Sequence, residues 1–133
     1  MERNSRICDG QSLEMSSLPK TWIFDLDGTI VKHNGYLIDG TDTLLENSAD
    51  FISRIPKDDY ILIVTSRKES YREMTVDFLK KNGIRFNEIL FDIPFGERIL
   101  INDKKPSGLK TSISINTERD AGISTEIIIN DEL

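Results

Sequence analysis

The chain has 133 residues, 38% hydrophobic and 30% charged, with a formal net charge of -6. That length suits one domain with a sizeable core, and the acidic balance argues against nonspecific binding to nucleic acid or to an anionic membrane. A lone cysteine, Cys8, rules out an intrachain disulfide and suits a reducing, cytoplasmic setting, while no stretch approaches the roughly 20 apolar residues of a membrane span and the start lacks a signal-peptide core.

Residues 1–19 show no sustained periodicity and are rich in Ser, Asn and charge, so a flexible N-terminal tail ending at Pro19 is expected. Residues 20–133 then form the single domain. "KTWIF" at 20–24 reads as a strand apolar enough to be central, with Trp22 in the core. "GTIVKHNGYLIDGTD" at 28–42 holds three glycines and an asparagine and reads as a loop or small hairpin. At 42–55, Leu44, Leu45, Phe51, Ile52 and Ile55 suit one helical face, which Thr41 or Asp42 is placed to cap. "YILIVTS" at 60–66 is a continuous apolar run of the kind found in buried parallel strands. "KESYREMTVDFLKKNG" at 68–83 places Tyr71, Met74, Phe78 and Leu79 near helical spacing and ends on a helix stop. "NEILF" at 87–91, "RILIN" at 98–102 and "TSISIN" at 111–116 read as further strands, with "TEIII" at 125–129 as a sixth. Strands alternating with helices predict an α/β domain: a mainly parallel sheet covered by helices on both faces. Sites in such sheets lie outside the carboxyl ends of the strands, where Asp25, Thr65 and Asp103 all fall.

"FDLDGTI" at 24–30 poses the chemical question. Side chains two apart on a strand share a side, so Asp25 and Asp27 can face one cavity while Leu26 packs elsewhere. Two carboxylates so close repel, and each costs free energy to desolvate. Gly28 allows an unusual backbone angle or a close ligand approach. If the strand before Asp103 neighbours the first, three carboxylates converge, and a hard cation such as Mg²⁺ relieves their repulsion and shields an incoming phosphate. Blander readings stand beside this one. Asp25 and Asp27 could cap an Asp-Gly turn, Asp103 could cap a helix, and Arg67, Lys104, Lys105 and His33 could be solvated. Arg119 and Asp120 read as surface capping or pairing residues.

Asp25-Leu26-Asp27-Gly28-Thr29 after a hydrophobic strand resembles the first motif of the haloacid dehalogenase superfamily. "ILIVTSR", ending its strand on Thr65, resembles the second motif, and "ILINDKKP" the fourth. The resemblance runs from residue 21 to about 116, and its spacing is similar to that of small capless members. "TSRKES", "FGERILINDKKPSGL" and "RDAGI" are similar to members found with bacterial surface-polysaccharide and nucleotide-sugar synthesis. The resemblance implies a three-layer, Rossmann-like fold without a large cap. It implies Asp25 as nucleophile, forming an aspartyl-phosphate, and Asp27 as general acid and base. It implies Mg²⁺ held by Asp25, Asp27 and Asp103. Thr65, Ser66 and the backbone around Leu26, Gly28 and Thr29 would hold the phosphate. The family's usual lysine is missing, with Ile93 at its place before Pro94, so Arg67 and then Lys104 are expected to supply the cation, with Arg98 and Lys105 as other sources. The expected function is a Mg²⁺-dependent phosphatase for a small phosphate monoester, a sugar phosphate above all. The alternative is a catalytically weak binding or regulatory module in the same biosynthesis, and phosphoryl transfer to another acceptor uses the same residues. Neither nucleic acid nor membrane is an expected partner. A site this open is compatible with a homo-oligomer in which a neighbouring subunit serves as lid.

Overall fold

The computed structural model describes residues 12–133. Cys8 and most of the expected tail lie outside the described residues. Ser12–Met15, expected as tail, is instead a strand, β1. It runs parallel to a strand formed by the late apolar run, with Leu13 opposite Ile127 and Met15 opposite Ile129.

Three parallel strands make the second sheet: β2 (Thr21–Asp25), β3 (Tyr60–Val64) and β4 (Glu88–Leu90), in the order β2-β3-β4. Its register places Trp22 beside Ile61, Phe24 beside Ile63, and Ile63 beside Ile89. These alternate residues share one face and form the heart of the core. The ring of Phe51 packs edge-on to those of Trp22 and Phe24, at centroid distances of 5.6 and 6.2 Å. Asp59, itself buried, ties the starts of β2 and β3 together. It accepts the Lys20 N–H at 3.1 Å and the Trp22 indole N–H at 2.9 Å.

The expectation of a central β2 is corrected. β2 is an edge strand, and on its other face Ile23 is 51% exposed. β3 is the buried centre, with Ile61 and Ile63 sealed from solvent.

The crossover from β2 to β3 holds α1 (Gly35–Ile38) and α2 (Glu46–Ser53). A backbone hairpin precedes α2: Lys32 donates to Thr43 and Leu45 to Ile30, both at 2.9 Å. Helix α2 starts four residues later than expected because Asp42, the expected cap, is spent on another partner described below. It buries Phe51 and Ile52, and its Ser48 hydroxyl donates to the Thr29 carbonyl. A short 3-10 turn at Glu69–Tyr71 leads into α3 (Arg72–Lys81), which buries Thr75 and Leu79. Gly83, at φ +72°, ends that helix.

After β4 the chain carries no further helix or strand until β5 (Glu126–Ile129), the partner of β1. "RILIN" and "TSISIN" are therefore not strands, and Ile99 and Ile101 are 82% and 89% exposed. For "RILIN" the reason is chain length. Residues 91–97 are too few for a parallel return to the sheet, which takes roughly a dozen or more residues and usually a helix. An apolar run without a neighbouring edge has nowhere to place its backbone hydrogen bonds. The fold is thus α/β, with parallel strands in two sheets and few helices. No described helix is long and apolar enough to cross a membrane.

Candidate functional site

The last residue of β2 is Asp25, and the chain then turns sharply. Leu26, fully buried, anchors the turn, and its carbonyl accepts N–H groups from Thr29, Ile30 and Val31. Gly28 adopts φ +87°, a conformation costly for any residue with a Cβ. Its N–H donates to the Val31 carbonyl at 2.7 Å. The side chains around this turn open onto a cleft of about 800 Å³ at the carboxyl ends of β2 and β3.

Asp25, Asp27, Gly28, Thr29, Thr65, Ser66 and Arg67 all line the cleft, so most of the expected site residues do come together. The Leu26 side chain packs into the core, away from the cleft, as the alternation along the strand implies. Asp103 and Lys104 are not among the lining residues. They sit in the irregular segment whose strand does not form, so nothing carries them to the carboxyl edge of the sheet. Among the described residues no group of three His, Cys, Asp or Glu side chains is arranged to hold a metal ion. Asp25, Asp27 and Asp103 thus do not form a cluster of three side chains.

Arg67 is also not where a phosphate contact should be. It is buried, and its five N–H donors are all occupied. Two go to Asp27, from Nε at 3.1 Å and Nη2 at 2.9 Å. Two go to Asp42, at 3.0 and 2.6 Å, and the fifth goes to the Thr75 hydroxyl at 2.8 Å. The Tyr36 ring covers the guanidinium, with Cζ 3.8 Å from the ring centroid. Burial by itself would lower the pKa of Arg67, but the hydrogen bonds and charges of Asp42 and Asp27 raise it above its ordinary value. Burial, then the Asp27 charge, push the Tyr36 hydroxyl up as well. Asp27 thus has both oxygens engaged by a fixed cation, which removes it from the acid–base role expected of it.

Asp25 differs. Its side chain is 43% exposed and meets one cation, Arg98, whose Nη1 donates to Oδ1 at 2.9 Å. Thr65 is buried and braces the turn after β3: its hydroxyl accepts the Arg67 N–H at 3.1 Å and its carbonyl accepts the Ile93 N–H at 3.0 Å. Ser66 donates to the Pro94 carbonyl at 3.4 Å.

The lining also includes Arg98, an expected alternative source of the cation, His33 and Arg119, expected as solvated or surface residues, and Phe95, which the motifs do not single out. The late segment reaches the cleft through a clip. The Asp120 N–H donates to the Gly28 carbonyl, and the Asp120 carboxylate accepts the His33 N–H, each at 2.8 Å. This sets Arg119 against Gly28, where an added Cβ would lie 3.3 Å from the Arg119 Cγ. His33 Nδ1 is shielded from solvent and has no hydrogen-bond partner among the described residues. No local signal in the sequence ties residue 120 to residue 28.

No family model matches the chain, and no curated protein matches it. Among solved structures it is similar to one described as "Structure of Pnkp1/Rnl/Hen1 complex", with 29% sequence identity and a TM-score of 0.49. The match covers 62% of this chain and 31% of that one. These findings correct the resemblance drawn from the motifs. Membership of the haloacid dehalogenase superfamily has no family model behind it, and the similar structure is a Pnkp1/Rnl/Hen1 complex rather than a sugar phosphatase. The sugar-phosphate substrate, the place in polysaccharide or nucleotide-sugar synthesis, and the regulatory module there are withdrawn with it.

Proposed function

We propose that the cleft binds a phosphate ester and acts on its phosphate, with Asp25 as the reacting carboxylate. One observation carries the reading. In a chain of net charge -6, this cleft sets three cationic side chains, Lys68, Arg98 and Arg119, around one carboxylate, Asp25, while Arg67 is matched by Asp27 and Asp42. A concave surface with an excess of cations attracts an anion and raises its local concentration. Arg67 is committed to Asp27 and Asp42, so Lys68, Arg98 and Arg119 are the cations left for a ligand. The hydroxyls of Thr29, Ser66, Ser70 and Thr117 add donors suited to phosphoryl oxygens.

Asp25 and Arg98 supply the working pair. A phosphate entering the cleft offers Arg98 a stronger, charge-assisted partner than a half-exposed carboxylate. Releasing that bond frees the Asp25 oxygen beside the phosphorus. Fixed cations around the phosphoryl group favour charge development on its oxygens, and the chemistry supported is hydrolysis of a phosphoric monoester. The sheet supports the placement, since sites of parallel sheets lie at the carboxyl ends of their strands.

The test pairs binding with turnover. Titration with inorganic phosphate, followed by phosphate release from an aryl phosphate with Mg²⁺ and with chelator, would be run on wild type, Asp25→Asn and Arg98→Ala. Wild type is expected to bind and turn over. Asp25→Asn is expected to bind without turnover, and Arg98→Ala to bind more weakly. Phosphate that does not bind wild type, or equal turnover in wild type and Asp25→Asn, overturns the reading.

A further inference from the structure

We infer that the phosphate ester carries a flat aromatic ring, that of a nucleoside monophosphate, and that Phe95 stacks on it. This rests on the reading of the cleft as a phosphate-ester site. Phe95 lines that cleft and is 92% exposed, whereas Phe24, Phe51 and Phe91 are buried in the core at 7%, 6% and 7%. A phenylalanine ring left in water forgoes the favourable transfer that the other three collect. The chain does not leave it there by looseness. The two residues before Phe95 are pinned to the turn after β3, through Ile93 N–H to Thr65 and the Ser66 hydroxyl to Pro94. Asp92 adds a third tie, donating its N–H to the Arg67 carbonyl at 2.8 Å. A fixed backbone therefore presents an open ring beside the phosphate donors.

The rest of the lining divides the same way. Asp25, Ser66 and Arg98 are polar, while Tyr36, Leu37 and Tyr71 give the cleft an aromatic and apolar part. Tyr36 already rests on the Arg67 guanidinium and meets the edge of Tyr71, with centroids 4.9 Å apart. Those two rings form a fixed wall, and Phe95 is the ring with its faces free. A ligand matching both parts has a phosphate at one end and a planar, weakly polar ring at the other. A base joined to a phosphate through ribose has that form. Lys68 and Arg119, with Arg98 once it leaves Asp25, suit one phosphate group, and the acidic chain opposes a long polyanion.

The experiment compares affinities of adenosine and uridine 5′-monophosphate, ribose 5-phosphate, pyridoxal 5′-phosphate and inorganic phosphate, by calorimetry on the full chain. Wild type, Phe95→Ala and Phe95→Trp are measured side by side. Stacking of one base on one ring is typically worth about tenfold or more in affinity. Nucleotides are expected to bind at least tenfold tighter than ribose 5-phosphate. That advantage is expected to vanish in Phe95→Ala and persist in Phe95→Trp, with inorganic phosphate unchanged throughout. Equal affinity for ribose 5-phosphate and nucleotides overturns the inference while leaving the phosphate site standing. So does a Phe95→Ala loss shared by inorganic phosphate, or a preference for pyridoxal phosphate or for an oligonucleotide end over the mononucleotides. Failure of every phosphate to bind wild type overturns the phosphate site itself.

Discussion

Asp25 and Asp27 stand two residues apart at the same cleft, and each meets an arginine, yet the two pairs are built in opposite ways. Asp27 and Arg67 are side-chain exposed by only 16% and 1%, and a second carboxylate and a hydroxyl complete the fork. Asp25 and Arg98 are exposed by 43% and 37% and share one bond. A buried charge with every donor matched cannot release a partner without a large penalty. An exposed pair exchanges its partner at little cost. Position in the motif therefore does not decide which carboxylate can react; the surroundings of its counterion do.

Removing Arg67 should produce the largest effect on this contrast. Arg67→Ala leaves Asp27 and Asp42 facing each other without a counterion and is expected to cost about 3–5 kcal/mol of stability, read from urea unfolding. Arg67→Lys restores the charge but not the five-donor fork, so it should recover only part. A loss under about 1 kcal/mol in Arg67→Ala would put the two pairs in one class. Gly28→Ala comes next. A non-glycine residue at φ +87° is expected to cost about 1–2 kcal/mol, and its Cβ would press Arg119 out of place. Phosphate affinity should fall along with the unfolding midpoint. Arg98→Ala should be the mildest for the fold, under about 1 kcal/mol, while weakening phosphate binding. Salt sharpens the same point: in about 1 M salt the stability gap between wild type and Arg98→Ala should close, because exposed charges are screened, and the Arg67→Ala gap should remain.

How much could be read from the sequence follows from how far each feature reaches along the chain. β2, β3 and β4 are legible because each is a short apolar run and the two crossovers that join them, residues 26–59 and 65–87, are long enough for a parallel return. "RILIN" has the same apolar pattern, but residues 91–97 give it no such path, and composition alone does not register that. The turn after β2 was legible in Asp25, Asp27 and Gly28. The commitment of Arg67 was not, because Asp42 and Thr75 look like a helix cap and a helix-face residue until the fold brings them to one guanidinium. The cap of α2 was misread for the same reason: a side chain already bound to Arg67 is not free to cap. Asp103 and Lys104 were placed at the site on the strength of a strand that does not form. Arg119 reaches the cleft through backbone bonds of Asp120, which leave no imprint on local residue pattern.

That long-range clip also sets an order of assembly on the ribosome, where a chain emerges amino end first at about 5–20 residues per second. The three strands of the larger sheet are all present once residue 90 has emerged, and so are the partners of Arg67, which are Asp27, Asp42 and Thr75. Phe95, Arg98 and the Asp120 clip come afterwards, and β1 waits for a partner 114 residues downstream before it can pair. The buried charge cluster is thus available to a nascent chain well before the ligand-facing rim. A polypeptide stalled soon after residue 90 would hold the floor of the cleft with Asp25, Ser66 and Lys68, but lack Phe95, Arg98 and Arg119.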